Sequence, residues 1–244
     1  MVGDPPKPGK SAGRVDKLKV ITIDLDDTLW AVGPVIVRAE KRLKDWFGEH
    51  YPRIPERFTR DAARDLRLQV FEDHADRAYD LTFIRREVIR RMGDAAGYAS
   101  VDVDAAFAVF DEARNDLELF PDVRPALQSL RARFRLVAVT NGNANLEKVG
   151  IDDLFDGFVS ARSAGAAKPE PKIFDAAVEA GGARREQTLH IGDHPEMDVD
   201  GARRSGLHAV WVNRWSHAWP AELREPDGVV NDLYELETLL GGAD

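Results

Sequence analysis

The sequence contains no cysteine, and this absence removes several kinds of chemistry from consideration. A chain without cysteine has no disulfide, no thiol nucleophile and no thiolate zinc site. The sequence also lacks any apolar run near the roughly 18 residues that cross a bilayer, and its first residues carry no signal-peptide hydrophobic segment. We therefore expect a cytoplasmic protein with no membrane partner.

The sequence has no excess of positive charge either. The 244 residues include 34 Lys and Arg against 43 Asp and Glu, so the formal net charge is -9 with histidine neutral. Because nucleic-acid backbones attract clustered positive charge, this balance argues against nucleic acid as a partner. The chain is 43% hydrophobic, which is enough for a substantial core, and it predicts one large domain or a core with a smaller inserted unit. The composition leaves the oligomeric state open.

Hydrophobic patterning predicts a tail and two structural units. Residues 1–17 are rich in Pro, Gly and Lys, have no hydrophobic period and predict a disordered tail. Residues 33–118 instead repeat apolar side chains at helical spacing and predict an all-helical cap. Its helices are expected at Pro34–His50, Arg57–Asp73, Leu81–Met92 and Val103–Leu117, with Pro52 and Pro55 breaking the chain after the first helix.

The remaining residues, 18–32 and 119–244, carry the pattern of an α/β core. The β-branched run that begins at Val20 predicts a strand buried on both faces. After Phe120 and Pro121, short apolar runs alternate with helical stretches, which indicates parallel strands joined by helical crossovers. The predicted fold is a Rossmann-like, doubly wound parallel sheet with the helical cap inserted after its first strand.

Acidic and small polar residues stand where the predicted strands end. Ligands of open parallel sheets bind outside the carboxyl ends of the strands, so side chains from separate segments should meet there. The expected set is Asp24, Asp26 and Thr28 after the first strand, Thr140 to Gly142 after the second, Lys168 before a helix, and Asp193 with Asp198 after the fourth. Clustered carboxylates need a counter-ion, because like charges raise one another's pKa. Oxygen ligands favour Mg2+, and a carboxylate nucleophile beside a metal and a lysine suits phosphoryl transfer.

These segments resemble the four motifs of the haloacid dehalogenase-like hydrolases, in the same order and across nearly the whole chain from Val20 onward. The segments are Asp24-Leu25-Asp26-Asp27-Thr28, Thr140-Asn141-Gly142, Lys168-Pro169, and Gly192-Asp193 through Asp198. The helical insertion between the first two resembles the cap of the class that includes small-metabolite phosphatases. One such motif is weak evidence, but four in order at strand ends and helix starts are specific.

The resemblance implies a role for each matching residue. Asp24 would be the nucleophile that forms an aspartyl-phosphate, and Asp26 would protonate the leaving oxygen and then activate water. Mg2+ would be held by Asp24, by the carboxylate of Asp193 and by the backbone carbonyl of Asp26, with Asp198 ordering the metal's water shell. Phosphate would be bound by Thr140, the amide of Asn141 and Lys168. The cap would select the substrate, whereas phosphoryl chemistry would belong to residues outside it.

Asp26 separates the reactions found in the family. The dehalogenases lack an acid two residues after the nucleophile and the ATP-driven pumps carry threonine there, whereas aspartate fits phosphatases and phosphomutases. The implied function is a Mg2+-dependent phosphatase for a small phosphorylated metabolite. Two alternatives stay open: a phosphomutase or phosphotransferase acting on a sugar phosphate, and a non-enzymatic phospho-accepting receiver, in which the lysine would come last in the chain.

Shorter segments bear on the substrate. Three of them are similar to bacterial phosphatases that act on flavin mononucleotide or on a phosphorylated pyrimidine intermediate of riboflavin biosynthesis: Asp24–Trp30, Pro34–Ile36 and Val137–Ala144. In the cap, the segment Asp80–Arg86 resembles nucleotidase-like relatives, which makes Arg85 a candidate substrate contact.

Other polar and aromatic residues are interpreted as structural. Asp27 would point away from its neighbours at period-2 spacing, and His190 would be a buried histidine within a strand. His194, next to Asp193, is a weaker candidate for a contact with metal or substrate. The late tryptophans are expected to pack rather than to stack on a substrate: Trp211, Trp215 and Trp219.

Overall fold

A computed structural model describes residues 17–241 of the chain. The predicted tail, residues 1–17, lies outside the described residues except for Lys17. Within residues 17–241 no helix is both long and apolar enough to cross a membrane.

A six-stranded sheet forms the centre of the core, and every pair of neighbouring strands is parallel. Its strands are β1 (Val20–Ile23), β2 (Arg135–Thr140), β3 (Gly157–Ser160), β4 (Thr188–Gly192), β5 (His208–Val212) and β6 (Gly228–Val230). The order β3-β2-β1-β4-β5-β6 places β1 between β2 and β4. All of β1 is buried, as its β-branched residues predict for a central strand covered on both faces. The predicted doubly wound α/β fold is confirmed.

Between β1 and β2 the chain forms helices that pack around a hydrophobic cluster of their own. They are α1 (Val32–His50), α2 (Arg53–Arg57), α3 (Arg60–Asp73), α4 (Leu81–Ala95) and α5 (Val103–Asn115). Helix α1 is buried at every fourth residue, which makes it amphipathic: Val35, Ala39, Leu43 and Phe47. Helices α3, α4 and α5 begin at side chains that accept a backbone N–H of the first turn, namely Thr59, Asp80 and Asp102.

Helices on both faces of the sheet bury two further hydrophobic clusters. These helices are α6 (Val123–Arg131), α7 (Leu146–Val149), α8 (Ala161–Ala164), α9 (Pro171–Gly181), α10 (Gly201–Arg204) and α11 (Leu233–Leu239). Successive residues of β1 alternate between the faces, so Ile21 and Ile23 join the cluster of α6 whereas Val20 joins that of α9. The sheet is therefore covered by helices on both faces, and polar side chains can gather at the carboxyl ends of its strands.

Two local details differ from the sequence expectation. The proline-containing segment after α1 forms the short helix α2 rather than an open break, because Pro55 falls in the first turn, where a backbone N–H has no helical partner. The segment Pro195–Asp200 winds as π-helical turns before α10, and apolar spacing does not predict these turns. The division of the chain into a core and a cap of residues 33–118 stays a prediction.

Candidate active site

Asp24 lies directly after β1, at the centre of the carboxyl edge of the sheet. Its backbone N–H donates to the carbonyl of Ile191 in β4 at 2.9 Å, so strand pairing fixes its place. The Lys168 ammonium pairs with Asp24 Oδ1, and Thr28 Oγ1 donates to Asp24 Oδ2 at 3.3 Å. Asp24 is 6% and Lys168 4% exposed, so the pair is almost removed from water. The predicted nucleophile and the predicted lysine are thus in direct contact.

A second carboxylate, Asp198, completes the surroundings of the lysine. Lys168 Nζ donates to Asp198 Oδ1 at 2.6 Å and to the carbonyl of Val139 at 3.2 Å. Burial lowers the pKa of the Lys168 ammonium, but Asp198 and Asp24 outweigh burial and hold this pKa above its ordinary value. Burial likewise raises the pKa of the Asp198 carboxyl, and Lys168 with His190 outweighs it and lowers the pKa. Lys168 and Asp198 are therefore both charged at neutral pH.

His190 in β4 connects this ion pair to the neighbouring strand. Its Nε2 lies 3.2 Å from Asp198 Oδ1, and its Nδ1 lies 2.9 Å from Thr22 Oγ1 in β1. Burial lowers the pKa of His190, so the ring is neutral at pH 7. His190 is the buried, hydrogen-bonded histidine that its position within a strand suggested. Its contact with Asp198 was not predicted, because His190 lies within β4 whereas Asp198 lies in the helical turns that follow this strand.

Asp193 faces the same space from the segment that follows β4. Thr28 Oγ1 lies 3.4 Å from Asp193 Oδ1 and 3.3 Å from Asp24 Oδ2, so this hydroxyl bridges the two carboxylates. Burial raises the pKa of the Asp193 carboxyl to about 7, with further contributions from Asp198 and Asp27. Burial is also the main cause that raises the pKa of Asp24 well above its usual value, despite the opposing effect of the lysine.

The residues present fit a divalent cation. One ligand atom from each of Asp24, Asp193 and Asp198 lies within 4.8 Å of the others, and Lys168 alone does not balance three carboxylates. A cation relieves this excess of negative charge, and oxygen-only donors match the preference of Mg2+. Both oxygens of Asp198 already accept hydrogen bonds. Asp24 Oδ2 and Asp193 Oδ1 share one long contact, the Thr28 hydroxyl at 3.3 and 3.4 Å, so Asp24 and Asp193 are better suited to direct ligation and Asp198 to a supporting position.

The residues after β2 form a tight loop beside Asp24 and Lys168. Thr140 Oγ1 accepts the Gly142 N–H at 2.8 Å, which leaves its hydroxyl hydrogen to donate elsewhere. The Asn141 side chain holds the backbone of Lys168, since Nδ2 donates to the lysine carbonyl at 2.9 Å and Oδ1 accepts the lysine N–H at 2.7 Å. A Cβ at Gly142 would lie 2.6 Å from Asp26 Oδ2, so only glycine lets the loop approach this carboxylate so closely.

Asp26 is held by two side chains, those of Trp30 and Arg114, for which the sequence motifs imply no role. Trp30 Nε1 donates to Asp26 Oδ1 at 2.8 Å, and Arg114 Nη2 lies 2.6 and 2.8 Å from the two carboxylate oxygens. The Arg114 side chain is 1% exposed, whereas that of Asp26 is 25% exposed. Helical spacing is the sequence signal that could have identified Arg114 as buried, because it lies on the same buried face of α5 as Ala106 and Phe110.

The predicted cap contact, Arg85, lies in the interior of the helical insertion. Its Nη1 pairs with Glu40 Oε1 at 2.6 Å, and its guanidinium carbon lies 3.8 Å from the centre of the Phe110 ring. Burial lowers the pKa of Arg85, and the contact with Glu40 opposes this effect. Among residues 17–241, none of its hydrogen bonds reaches the acidic cluster. Its role in substrate recognition stays a prediction.

The remaining candidates have structural contacts. His194 Nδ1 accepts two backbone N–H groups of the following π-helical turn. Asp27 Oδ1 accepts the Val32 N–H at 2.9 Å, at the start of α1. Trp211 Nε1 donates to the backbone carbonyl of Asp193, a predicted metal ligand, at 2.7 Å. The other late tryptophans pack edge-on against aromatic rings, Trp215 on Phe120 and Trp219 on Trp211.

A cleft of about 590 Å³ adjoins this region, between the helical insertion and the loops after β2 and β3. Its walls include Tyr79 and Phe107 on one side, and Gly142 and Asn143 on the other. Asp24, Asp26, Asp193 and Asp198 do not line the cleft, although other carboxylates, such as those of Asp80 and Asp111, do.

The family to which the chain belongs follows from a match over most of its length. A family model described as haloacid dehalogenase-like hydrolase matches residues 18–206, a range that includes all four motifs. The chain belongs to this family of hydrolases. The resemblance drawn from the motifs is confirmed, and so is the prediction that the protein is an enzyme.

Particular relatives carry both phosphatase and dehalogenase names. The chain is 32% identical over 200 residues to the 5-amino-6-(5-phospho-D-ribitylamino)uracil phosphatase YigB of Escherichia coli K12, covering 80% of this chain and 84% of YigB. It is 29% identical over 206 residues to a glyceraldehyde 3-phosphate phosphatase of Methanopyrus kandleri, covering 81% and 84%. A crystal structure of a 2-haloacid dehalogenase from Pseudomonas syringae pv. Tomato DC3000 has 33% identity and a TM-score of 0.87, covering 92% and 98%. The site itself must therefore distinguish these reactions.

Proposed function

We propose that the protein is a Mg2+-dependent phosphatase that hydrolyses a small phosphorylated metabolite through an aspartyl-phosphate. The observation that carries the proposal is the pair of carboxylates at the end of β1. Asp24 is buried against Lys168, while Asp26, two residues later, is partly exposed and held by separate hydrogen bonds. Two carboxylates in such different surroundings suit the separate roles of nucleophile and proton-transfer group.

The reaction takes place in two steps that these residues divide between them. In the first, a carboxylate oxygen of Asp24 attacks phosphorus, the bond from phosphorus to the ester oxygen breaks, and Asp26 donates a proton to the departing oxygen. In the second, Asp26 takes a proton from a water molecule as its oxygen attacks phosphorus, and the bond to Asp24 breaks. The products are an alcohol and inorganic phosphate, Asp24 is again a carboxylate, and Asp26 again carries the proton with which it began the cycle.

The other residues of the site would balance or bind the negative charge of the phosphate and of Asp24. Lys168 would offset the charge of the phosphate and of Asp24, which it already contacts. The hydroxyl hydrogen of Thr140 and the amide of Asn141 would donate to phosphate oxygens, as oxyanions require. Asp24, the backbone carbonyl of Asp26 and Asp193 would hold Mg2+, with Asp198 beside it. When bound, the metal supplies positive charge that lets a carboxylate and a phosphate dianion approach each other.

For the substrate, we propose a phosphate ester in the range defined by the phosphatase relatives. YigB is named for a phosphorylated ribitylamino-uracil, and the short segments near the site are similar to phosphatases of that compound and of flavin mononucleotide. We therefore place a phosphorylated riboflavin-pathway intermediate and flavin mononucleotide first among candidates. Arg85 would contribute to this choice from the cap.

Dehalogenation is the second candidate, because the Pseudomonas syringae structure carries that name at 33% identity. Cleavage of a carbon–halogen bond releases a halide, which needs no proton, so Asp26 would have no task in the first step. The acidic cluster around Asp24 also fits a metal, and a metal suits a phosphate dianion rather than a haloacid monoanion. Both features favour the phosphatase.

The test is a panel of phosphate esters and 2-haloacids assayed with Mg2+. The panel includes the ribitylamino-uracil phosphate, flavin mononucleotide, sugar phosphates and nucleoside monophosphates, and both phosphate and halide release are measured. We expect phosphate release that Asp24→Asn abolishes. Halide release without phosphate release would assign the dehalogenase, and an isomeric sugar phosphate without free phosphate would assign a phosphomutase.

A further inference from the structure

Both connections between the helical insertion and the sheet place a side chain on the Asp26 carboxylate. Trp30, just before α1, donates from its indole to Oδ1 at 2.8 Å. Arg114, in the last turn of α5, donates from Nη2 to Oδ1 at 2.6 Å and to Oδ2 at 2.8 Å. The next residue, Asn115, accepts the Asn145 N–H at 2.7 Å and ties the same turn to the loop after β2.

Arg114 is an unusual residue to find in this position. Its side chain is 1% exposed, and its second terminal nitrogen, Nη1, is buried without a hydrogen-bond partner among the described residues. Removing an arginine charge from water is costly, and a single ion pair with a partly exposed carboxylate returns little of that cost. Stability alone therefore does not explain the arginine, whereas an effect on Asp26 does.

We propose that Arg114 is a positioning residue that fixes the Asp26 carboxylate for proton transfer, with Trp30 as a second donor. The inference rests on the proposed function, because that function gives Asp26 the proton. A proton donor must come within about 2.6–3.2 Å of the atom it protonates, and rotation about the aspartate side-chain torsions would take the carboxyl away. Donors on both oxygens restrict that rotation, and Gly142 leaves the space in which the carboxylate lies.

The positions of the two donors in the chain link the Asp26 carboxylate to the helical insertion. Trp30 and Arg114 flank the helical insertion at its two ends, so the place of Asp26 depends on how the insertion is seated on the core. The sequence alone assigned substrate choice to the cap and chemistry to the rest of the chain. Arg114 instead makes the last cap helix part of the proton-transfer step.

The experiment compares two esters that differ in their need for a proton. The nitrophenolate of para-nitrophenyl phosphate leaves without protonation, whereas the alkoxide of a sugar phosphate does not. We measure kcat/KM, which reports the steps up to formation of the aspartyl-phosphate, for both esters with wild type and Arg114→Met. Since general acid catalysis contributes about 10²–10⁴-fold, we expect a loss of about 10–100-fold on the sugar phosphate. The loss on para-nitrophenyl phosphate should stay below about threefold, because that ester does not draw on the acid.

Two further variants separate positioning from a merely structural role. Arg114→Lys should recover part of the loss, because one nitrogen makes both contacts with Asp26 and an ammonium can replace it. Trp30→Phe removes one donor while keeping an aromatic ring, and it should shift the ratio of the two kcat/KM values in the same direction by a smaller factor. If Arg114→Met does not fold, Trp30→Phe and Arg114→Lys still decide the question.

Asn115→Ala is the matched control, because it removes the adjacent tie to Asn145 without touching Asp26. It should leave the ratio of the two kcat/KM values unchanged, whatever its effect on stability. An equal loss on both esters in the Arg114 and Trp30 variants, or no loss, overturns the positioning role while the phosphatase stands. If the wild-type chain releases phosphate from no ester, the proposed function fails first and the inference fails with it.

Discussion

The core and the helical insertion both contain clusters of ion pairs, but the two clusters differ in their access to water. In the core, Lys168 joins Asp24 and Asp198, and these side chains are 2%, 8% and 2% exposed. In the insertion, Glu87 pairs with Arg90 and Arg91, whose side chains are 52% and 23% exposed. Exposed pairs contribute little and tolerate change, whereas breaking a buried pair leaves a charge without compensation. The difference teaches that the buried ion pairs of the core tolerate substitution less than the exposed ion pairs on the surface of the insertion.

Arg114 is the exception that marks where the two regions meet. It belongs to α5 of the insertion, yet its side chain is as buried as that of Lys168 and pairs with a carboxylate that follows β1. Arg85 is intermediate, with a side chain 13% exposed and a partner, Glu40, within the insertion itself. The difference between these ion pairs therefore depends on how buried each side chain is and on which residue it contacts, rather than on where the residue lies in the chain.

The largest effect is expected from Asp24→Asn, which should lower phosphate release by at least about a thousandfold, because an amide does not form the acyl-phosphate. Thermal stability should change little, because Lys168 keeps its ion pair with Asp198 and burial already disfavours the charged form of Asp24. Asp27→Asn is the control, because it retains the acceptor oxygen for Val32 N–H. An Asp24→Asn variant with near wild-type phosphate release would refute the assignment of the core.

Metal removal should be the next most severe change. EDTA is expected to abolish phosphate release and Mg2+ to restore it, because the metal offsets the clustered carboxylates. Ca2+ should inhibit, since it takes more ligands in a looser geometry. Calorimetric titration of Mg2+ provides a readout independent of turnover, and Asp193→Asn should weaken that binding. Full activity in EDTA would rule out the metal.

The stability of the metal-free protein should depend on pH through Asp193. The folded protein keeps a proton on this carboxyl up to about pH 7, whereas the unfolded chain loses it near the ordinary value of 3.8. Between these values the folded state binds more protons, so the contribution of Asp193 to stability falls as pH rises through the window. We expect Mg2+ to raise Tm more at pH 8 than at pH 5, and Asp193→Asn to reduce that difference. A Tm increase from Mg2+ that is the same at both pH values would contradict this role.

The smallest effect is expected from the cap. Arg85→Ala should raise KM for the natural ester by a few-fold and leave para-nitrophenyl phosphate nearly unchanged, because that ester makes few cap contacts. Lys168→Ala should instead damage both esters alike, because every phosphate ester presents the same group to the lysine. Arg64→Gln, at an exposed arginine of α3, serves as the surface control. An equal response of both esters to Arg85→Ala would show that Arg85 does not select the substrate.

The arrangement of the core was accessible from the sequence because its determinants are local. The β-branched run at Val20 marks a buried strand, and alternation of strands with helices requires parallel pairing. Parallel strands bring their carboxyl ends to one edge, so Asp24, Thr140 and Asp193 had to converge. The helical spacing of the insertion was equally clear, although the helix α2 and the π-helical turns depend on backbone details that apolar periodicity does not encode.

What the sequence by itself determined is the fold and the set of acidic and polar residues at the strand ends, since both follow from short-range pattern and sheet topology. What only the tertiary structure decided is the choice of partners among side chains far apart in the chain. Arg114 and Asp26 are 88 residues apart, and Arg85 and Glu40 are 45 apart. Their contacts depend on how α1, α4 and α5 pack and where the insertion rests on the sheet. No local pattern specifies that packing, because many arginines fit a helix equally well and only the assembled fold buries one of them against the acid.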